Sequence, residues 1–285
     1  MMKKRLLAIS LMLILSASLL NFTACNTNEE TTNNEKQNVD RNGESKSNND
    51  RNNGRNNESG EVLDNGGMIL TFDDGYKTDY EVVYPILEEK GIQAVTYISP
   101  IFAEKKLGEY MNWEQIKALD EAGWDVEDHT YSHPNMTELT EQDIHQEMEK
   151  VNETFEKKGL DIPEHHALPH GAYNDTVKDL LFSYRTTVRK AENTLNPFPL
   201  EDKFLDAVDM GIHSTDGLKR LIDKAIEKRK IVIFFTHDVQ DDPFDYGITT
   251  DKFKSVVEYA VDQDIEILTL TELMEKQEIS QKDAS

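Results

Sequence analysis

Met68-Ile69-Leu70-Thr71-Phe72 runs without a break into Asp73-Asp74-Gly75-Tyr76. The apolar run is too short for a buried helix and is bounded by turn residues, so it predicts a strand covered on both faces. Such a strand must deliver two adjacent carboxylates to the rim of a sheet. Like charges that close stay ionised only beside a cation or strong donors, which makes a metal ion the first candidate neighbour. Successive strand residues point to opposite sides, but a turn at Gly75 can rotate the pair toward different partners. An isolated Asp-Asp-Gly is also an ordinary turn, so the chemistry depends on what the rest of the chain brings to the same rim.

Downstream, strand and helix patterns alternate. Helical spacing of Val82, Val83, Ile86 and Leu87 predicts a helix over 79–90, and Ala94 to Ile98 predicts the next strand. A helix over 112–122 has Asn112 as its cap, a strand over 124–126 leads to His129, and a charged helix spans 141–158 before Gly159. A strand and loop over 167–171, a short helix after Asn174, a strand over 185–188 and an irregular stretch to Met210 follow. Helices over 215–228 and 251–261 and strands over 231–235 and 265–268 complete the order. Alternation of this kind predicts an α/β fold with parallel strands, and in barrels built this way the chemistry sits at the C-terminal strand ends.

The ends of the chain differ in character from this body. Lys3-Lys4-Arg5, the apolar run from Leu6 to Leu20 and the small residues before Cys25 follow the order of an export signal. Thr23-Ala24-Cys25 resembles the lipobox of bacterial lipoproteins, with Phe22 where an aliphatic residue is usual. The expectation is a signal peptide over 1–24 and a lipidated Cys25, the only cysteine, anchoring an exported protein to the outer face of the cell membrane. Residues 26–60 are almost devoid of apolar side chains and are expected to form a disordered tether, so that 25–60 acts as a linker. The catalytic body is assigned to 61–278 and a polar tail to 279–285. A net charge of −24 argues against nucleic acid as a partner.

The predicted strand ends bring polar residues together: Asp73 and Asp74, then His129 and His133, then Pro169-His170-Gly171, then His237 after Phe234-Phe235-Thr236. The i, i+4 spacing of His129 and His133 suits one face of a helical turn, which Pro134 keeps short. Two imidazoles and a carboxylate form a ligand set for zinc or another divalent first-row metal. His145 is expected to face solvent, and His165, His166 and His213 carry no motif and are read as structural.

With these residues in view, the chain resembles the polysaccharide deacetylases, the NodB-homology domain of carbohydrate esterase family 4. Thr71-Phe72-Asp73-Asp74-Gly75-Tyr76 is similar to the first family motif, His129-Thr130-Tyr131-Ser132-His133 to the second, and Phe235-Thr236-His237 to the last. The resemblance implies a distorted, TIM-like (β/α) barrel with fewer than eight repeats and removal of acetyl groups, N-acetyl ahead of O-acetyl, from a glycan. It also implies roles: Asp74, His129 and His133 as metal ligands, Asp73 as base, His237 as acid, and His170, Gly171 and Tyr76 at the substrate or oxyanion. The implied cofactor is a divalent metal, zinc before cobalt, manganese or nickel, and the implied partner is an acetylated glycan.

Two departures stand out. The arginine of the third motif, which would hold the catalytic aspartate, is replaced by Ala167, and the aromatic residue by His170. No Asp-x-x-Asp-Trp motif is present; Asp206 and Asp209 in Phe204–Met210 are the nearest match and lack the tryptophan. A related hydrolase of cyclic amides or imides and a non-catalytic glycan-binding module on the same fold are the alternatives.

Overall fold

The computed structural model describes Leu63 and residues 65–283, within a compact unit spanning Asn57–Ser285. The signal, Cys25 and linker calls lie outside the described residues. Among the described residues nine strands form one parallel sheet: β1 (Gly67–Phe72), β2 (Val95–Ile98), β3 (Asp125–Asp128), β4 (His165–Ala167), β5 (Thr187–Lys190), β6 (Phe204–Asp206), β7 (Val208–Asp209), β8 (Ile231–Thr236) and β9 (Glu266–Leu268). Their order is β6-β5-β4-β3-β2-β1-β8-β7, with β9 added against the start of β1. Only Ala207 separates β6 from β7, so the two ends of the order meet in one interrupted strand and the sheet curls into a distorted, unsealed barrel. Because β6 and β7 share one position, the ring has fewer than eight staves, as the resemblance implies.

Every residue of β1 is buried, although its two faces meet different surroundings. Met68, Leu70 and Phe72 pack outward against the helices, and Ile69 packs inward with Val95, Tyr97, Ala167, Ile233 and Phe235. This is the period-two division of a strand that water reaches on neither side.

Helices α1 (Tyr84–Glu88, continuing a π-turn over Asp79–Val83), α2 (Pro100–Lys105), α3 (Trp113–Glu121), α4 (Glu141–Lys158), α5 (Asp175–Phe182), α6 (Thr215–Lys228), α7 (Thr250–Asp262) and α8 (Leu270–Asp283) lie between or after the strands. Their starts follow local chemistry. Asn112 with Gln115 and Thr140 with Asp143 form capping boxes, and Asn174, Ser214 and Thr249 accept backbone N–H groups of α5, α6 and α7. Each such cap contributes about 1 kcal/mol. Gly159, in the left-handed region at φ 77°, ends α4 where the sequence places its stop.

Three differences from the sequence reading matter. The strand expected over 185–188 lies two residues later, at Thr187–Lys190, and the stretch expected to be irregular contains β6 and β7. Helix α8, which the pattern did not predict, runs past the expected boundary at Glu278. Among the described residues no helix is long and apolar enough to cross a membrane.

Candidate metal centre and active site

Asp73, Asp74, Tyr76, His129, His133, His170, Gly171 and His237 line one cavity of about 460 Å³ at the C-terminal ends of the strands, together with Arg189 and Tyr246. All eight residues singled out from sequence therefore share one cleft.

Asp73 continues the β1 ladder through its N–H, which donates to the Thr236 carbonyl at 3.0 Å. Asp74 then turns the chain at φ 72° and Gly75 follows at φ 73°. A side chain at 75 would be strained twice, because its Cβ would also lie 2.7 Å from Ile98 Cδ1. This pair of left-handed residues sends the two adjacent carboxylates to different partners.

Asp74 Oδ1 lies 3.6 Å from His129 Nε2 and 3.2 Å from His133 Nε2. His129 is oriented through its other nitrogen, with Nδ1 2.8 Å from the Ala167 carbonyl, which leaves the Nε2 lone pair toward Asp74. Burial and the neighbouring His133 hold His129 well below the usual histidine range, and burial with His170 lowers His133 to about 4. Both rings are thus neutral at physiological pH and offer lone pairs. Burial pushes the Asp74 carboxyl up to about 6 against the pull of His237, and its Oδ1 has no hydrogen-bond donor among the described residues. One ligand atom from each of Asp74, His129 and His133 falls within 4.8 Å of the others. A buried acceptor without a donor beside two neutral imidazoles is what a divalent cation would satisfy, so the donor set fits a metal.

The two histidines do not sit on a helical turn. Thr130 at φ 61° and His133 at φ 58° fold the segment back instead, bringing the ring centroids to 4.8 Å. Pro134 explains part of this, since it disfavours helical geometry at His133. Asp128 Oδ1 accepts the Thr130 N–H at 2.6 Å, Thr130 Oγ1 accepts the His133 N–H at 3.0 Å, and Glu147 of α4 binds the Ser132 N–H and hydroxyl at 2.8 Å each. Behind the turn, Asp128 Oδ2 accepts from His166 Nδ1 at 2.8 Å and Arg185 Nε at 3.0 Å. Burial alone would raise the Asp128 carboxyl, but Arg185 and His166 outweigh it and hold the group far below the usual range. His166 is therefore structural, as read from sequence. His145 is half-buried with Nδ1 2.7 Å from Tyr184 Oη, a partner that the sequence reading missed.

Asp73 is held by Arg189, whose Nη2 donates to Oδ1 at 2.7 Å and Oδ2 at 2.6 Å. The guanidinium lies over the rings of Phe235 and Tyr97, 4.7 and 5.2 Å from their centroids. Ala167 is the register partner of Arg189 on the neighbouring strand, so both side chains face the barrel interior. The methyl group at 167 leaves the space that the guanidinium fills. The arginine missing from the third motif is thus supplied one strand away. The strand expected over 185–188 stopped one residue short of it; Thr187-Val188-Arg189, with a charge at an inward position, was the available signal.

His170 is exposed at φ 59°, its ring 4.6 Å from that of His133, and the Gly171 N–H is taken up by the Leu168 carbonyl at 3.0 Å. Tyr76 stacks beside Tyr110 at 4.8 Å. His237 Nδ1 lies 3.3 Å from the Tyr246 carbonyl, on the loop between β8 and α7. Of the two acids considered as its partners, Asp206 pairs instead with Lys190 at 2.5 Å, while Asp209 lines the cleft. Five non-glycine residues at positive φ, Asp74, Thr130, His133, His170 and Tyr246, thus lie in or beside this one site. Such clustering is characteristic of sites that hold geometry against strain.

The sequence pattern of the polysaccharide deacetylase family matches residues 62–188, which include Asp73, Asp74, His129 and His133 but stop short of Arg189 and His237. The protein named "Putative polysaccharide deacetylase YxkH" of Bacillus subtilis is 29% identical over 110 residues, 38% of each chain. The chain therefore spans well under half the length of this curated relative. The chitin deacetylase of the fungal pathogen Colletotrichum lindemuthianum has the same fold, with a TM-score of 0.56 at 18% identity over 75% of this chain and 92% of that one. A CE4 family pseudoenzyme from Bacillus anthracis is also similar, with a TM-score of 0.53 at 19% identity over 74% of this chain and 66% of that one. The family pattern is thus matched over residues 62–188, and the solved structures show that the chain shares their fold.

Proposed function

We propose that the chain is a metal-dependent hydrolase that removes acetyl groups, N-acetyl in preference to O-acetyl, from an envelope or extracellular polysaccharide. The observation that carries this reading is the grouping of Asp74, His129 and His133 beside an arginine-held Asp73 and His237 in one cleft. A divalent cation, zinc before cobalt, manganese or nickel, would be held by Asp74, His129 and His133, and when bound it would polarise the acetyl carbonyl and lower the pKa of water. Asp73, fixed by Arg189, takes the proton of the attacking water as general base. Arg189 prevents the Asp73 carboxylate from turning toward the cation ligands, so base and ligand keep separate tasks. The oxyanion is met by the His170 N–H, since the Gly171 N–H already closes its turn on Leu168. His237, its Nδ1 directed at the Tyr246 carbonyl, protonates the departing amine through Nε2. Tyr76 and His170 border the bound sugar.

The test is acetate release by the purified chain from a panel of acetylated glycans and small cyclic amides, with and without chelator, beside Asp73→Asn. Metal-dependent release from glycans that disappears in the variant supports the reading. Turnover of the cyclic amides alone would replace it with the related hydrolase, and glycan binding without turnover would replace it with a binding role. We further propose that residues 1–24 direct export and that Cys25 carries the lipid anchor, with 61–278 as the catalytic body. Fatty-acid labelling that is lost in Cys25→Ser would support the anchor, and unchanged membrane association in that variant would count against it.

A further inference from the structure

Beside the apolar residues of the barrel interior, the inward positions of β3 and β4 carry polar groups. Strand register sets Tyr97 beside Glu127 and His165 beside Thr187, and the pairing of Asp128 with His166 puts Glu127 next to His165. These side chains form one inward layer, with Asp125 a pleat below at the start of β3. One ligand atom from each of Asp125, Glu127 and His165 lies within 4.8 Å of the other two.

The ordinary explanation for buried polar groups is mutual hydrogen bonding, and here it is incomplete. His165 is fully buried; its Nδ1 is engaged by Thr187 Oγ1 at 2.9 Å, and its Nε2 has no partner among the described residues. Tyr97 Oη, equally buried in the same layer, has none either. Glu127 Oε2 accepts the His165 N–H at 2.8 Å, and Asp125 Oδ2 accepts the Thr271 N–H of α8 at 2.9 Å. Asp125 also accepts from the Leu270 N–H and the Thr269 and Thr271 side chains at the start of α8, so the group without a partner in this cluster is the His165 Nε2. No lysine or arginine forms an ion pair with either acid among the described residues, and the nearby Arg185 is committed to Asp128 and Asn152. The buried Glu127, the half-buried Asp125 and a buried imidazole nitrogen without a partner, with their ligand atoms within 4.8 Å of one another, form a ligand set for a first-row divalent ion.

We propose that Asp125, Glu127 and His165 bind a second divalent cation inside the barrel, separate from the cleft and structural in purpose. It joins β3 to β4 and, through Asp125, to the start of α8, which closes this end of the barrel.

The test is metal content by elemental analysis of the full chain produced with zinc as the only added metal, together with Asp74→Asn/His133→Ala and Glu127→Gln. The expected zinc content is about two per chain in the parent, about one in the cleft variant and about one in Glu127→Gln. X-ray absorption of the cleft variant should show one imidazole among oxygen ligands. A cleft variant that holds no zinc while the parent holds one would overturn the proposal, and this variant decides it even if Glu127→Gln does not fold. One zinc in both the parent and the cleft variant, lost in Glu127→Gln, would support the interior site and count against the cleft reading, so the two fail separately.

Discussion

Replacing Arg189 with methionine isolates the contact on which the base depends. Arg189 and Asp73 are 2% and 6% exposed in their side chains, and a single Nη2 approaches both carboxylate oxygens. Removing one partner of a buried pair leaves the other charge without compensation, at a cost of about 3–5 kcal/mol, whereas removing both is close to neutral. Methionine keeps the aliphatic stem but not the guanidinium that lies over Tyr97 and Phe235, so part of the loss comes from that packing, and the double-mutant cycle separates it from the charge term. For a body of this size, about 3 kcal/mol corresponds to a fall of roughly 6–12 °C in Tm. Asp73→Asn in the same background should recover at least half of that loss. The assay is thermal and urea unfolding of the metal-stripped chain in a double-mutant cycle, with acetate release measured in parallel. A coupling energy below about 0.5 kcal/mol would refute the reasoning, because it would mean the two groups act independently.

Metal affinity should follow the protonation of Asp74. Its folded pKa of about 6 lies above that of His133, about 4, so affinity should be flat above pH 6 and fall about tenfold per unit between pH 6 and 4; isothermal titration with zinc across that range checks it. Asp128→Ala leaves Arg185 and His166 buried without their acceptor and should destabilise by about 3–5 kcal/mol in urea unfolding, with roughly 10–100-fold weaker metal binding as the Thr130 turn loosens. The Asp128 carboxyl is held low in the folded protein, so its stabilisation is present above the ordinary aspartate pKa and is lost as pH falls below it. A parent whose urea midpoint does not fall on acidification more than that of Asp128→Asn would contradict this. His237→Ala should reduce kcat by about 10²–10⁴-fold on an N-acetylated glycan while leaving metal content unchanged.

Much of the site was legible from sequence because its elements are local. A strand ended by two carboxylates and a glycine, an HxxxH segment and a strand ended by histidine each carry their chemistry within a few residues, and the strand-end rule then directs them to one rim. Helix caps were legible for the same reason: Asn112, Asn174 and Gly159 act on N–H and C=O groups only a few positions away. What depended on a partner distant in the chain was not legible. Arg189 reaches Asp73 across 116 positions, through the register of β4 with β5 and the space left by Ala167, and no local pattern encodes that encounter. The left-handed turn that brings His129 to His133 relies on Asp128 and Glu147, fixed in turn by Arg185 and by α4.

The sequence by itself determined which residue types could carry hydrolytic chemistry and that parallel strands would present them together, because hydrophobic periodicity and short motifs act over one element. Only the tertiary structure decided which cation holds the base, where the histidine ring finds its acceptor and which interior acids lie beside His165. Those are matters of strand register and side-chain volume, set when the barrel closes.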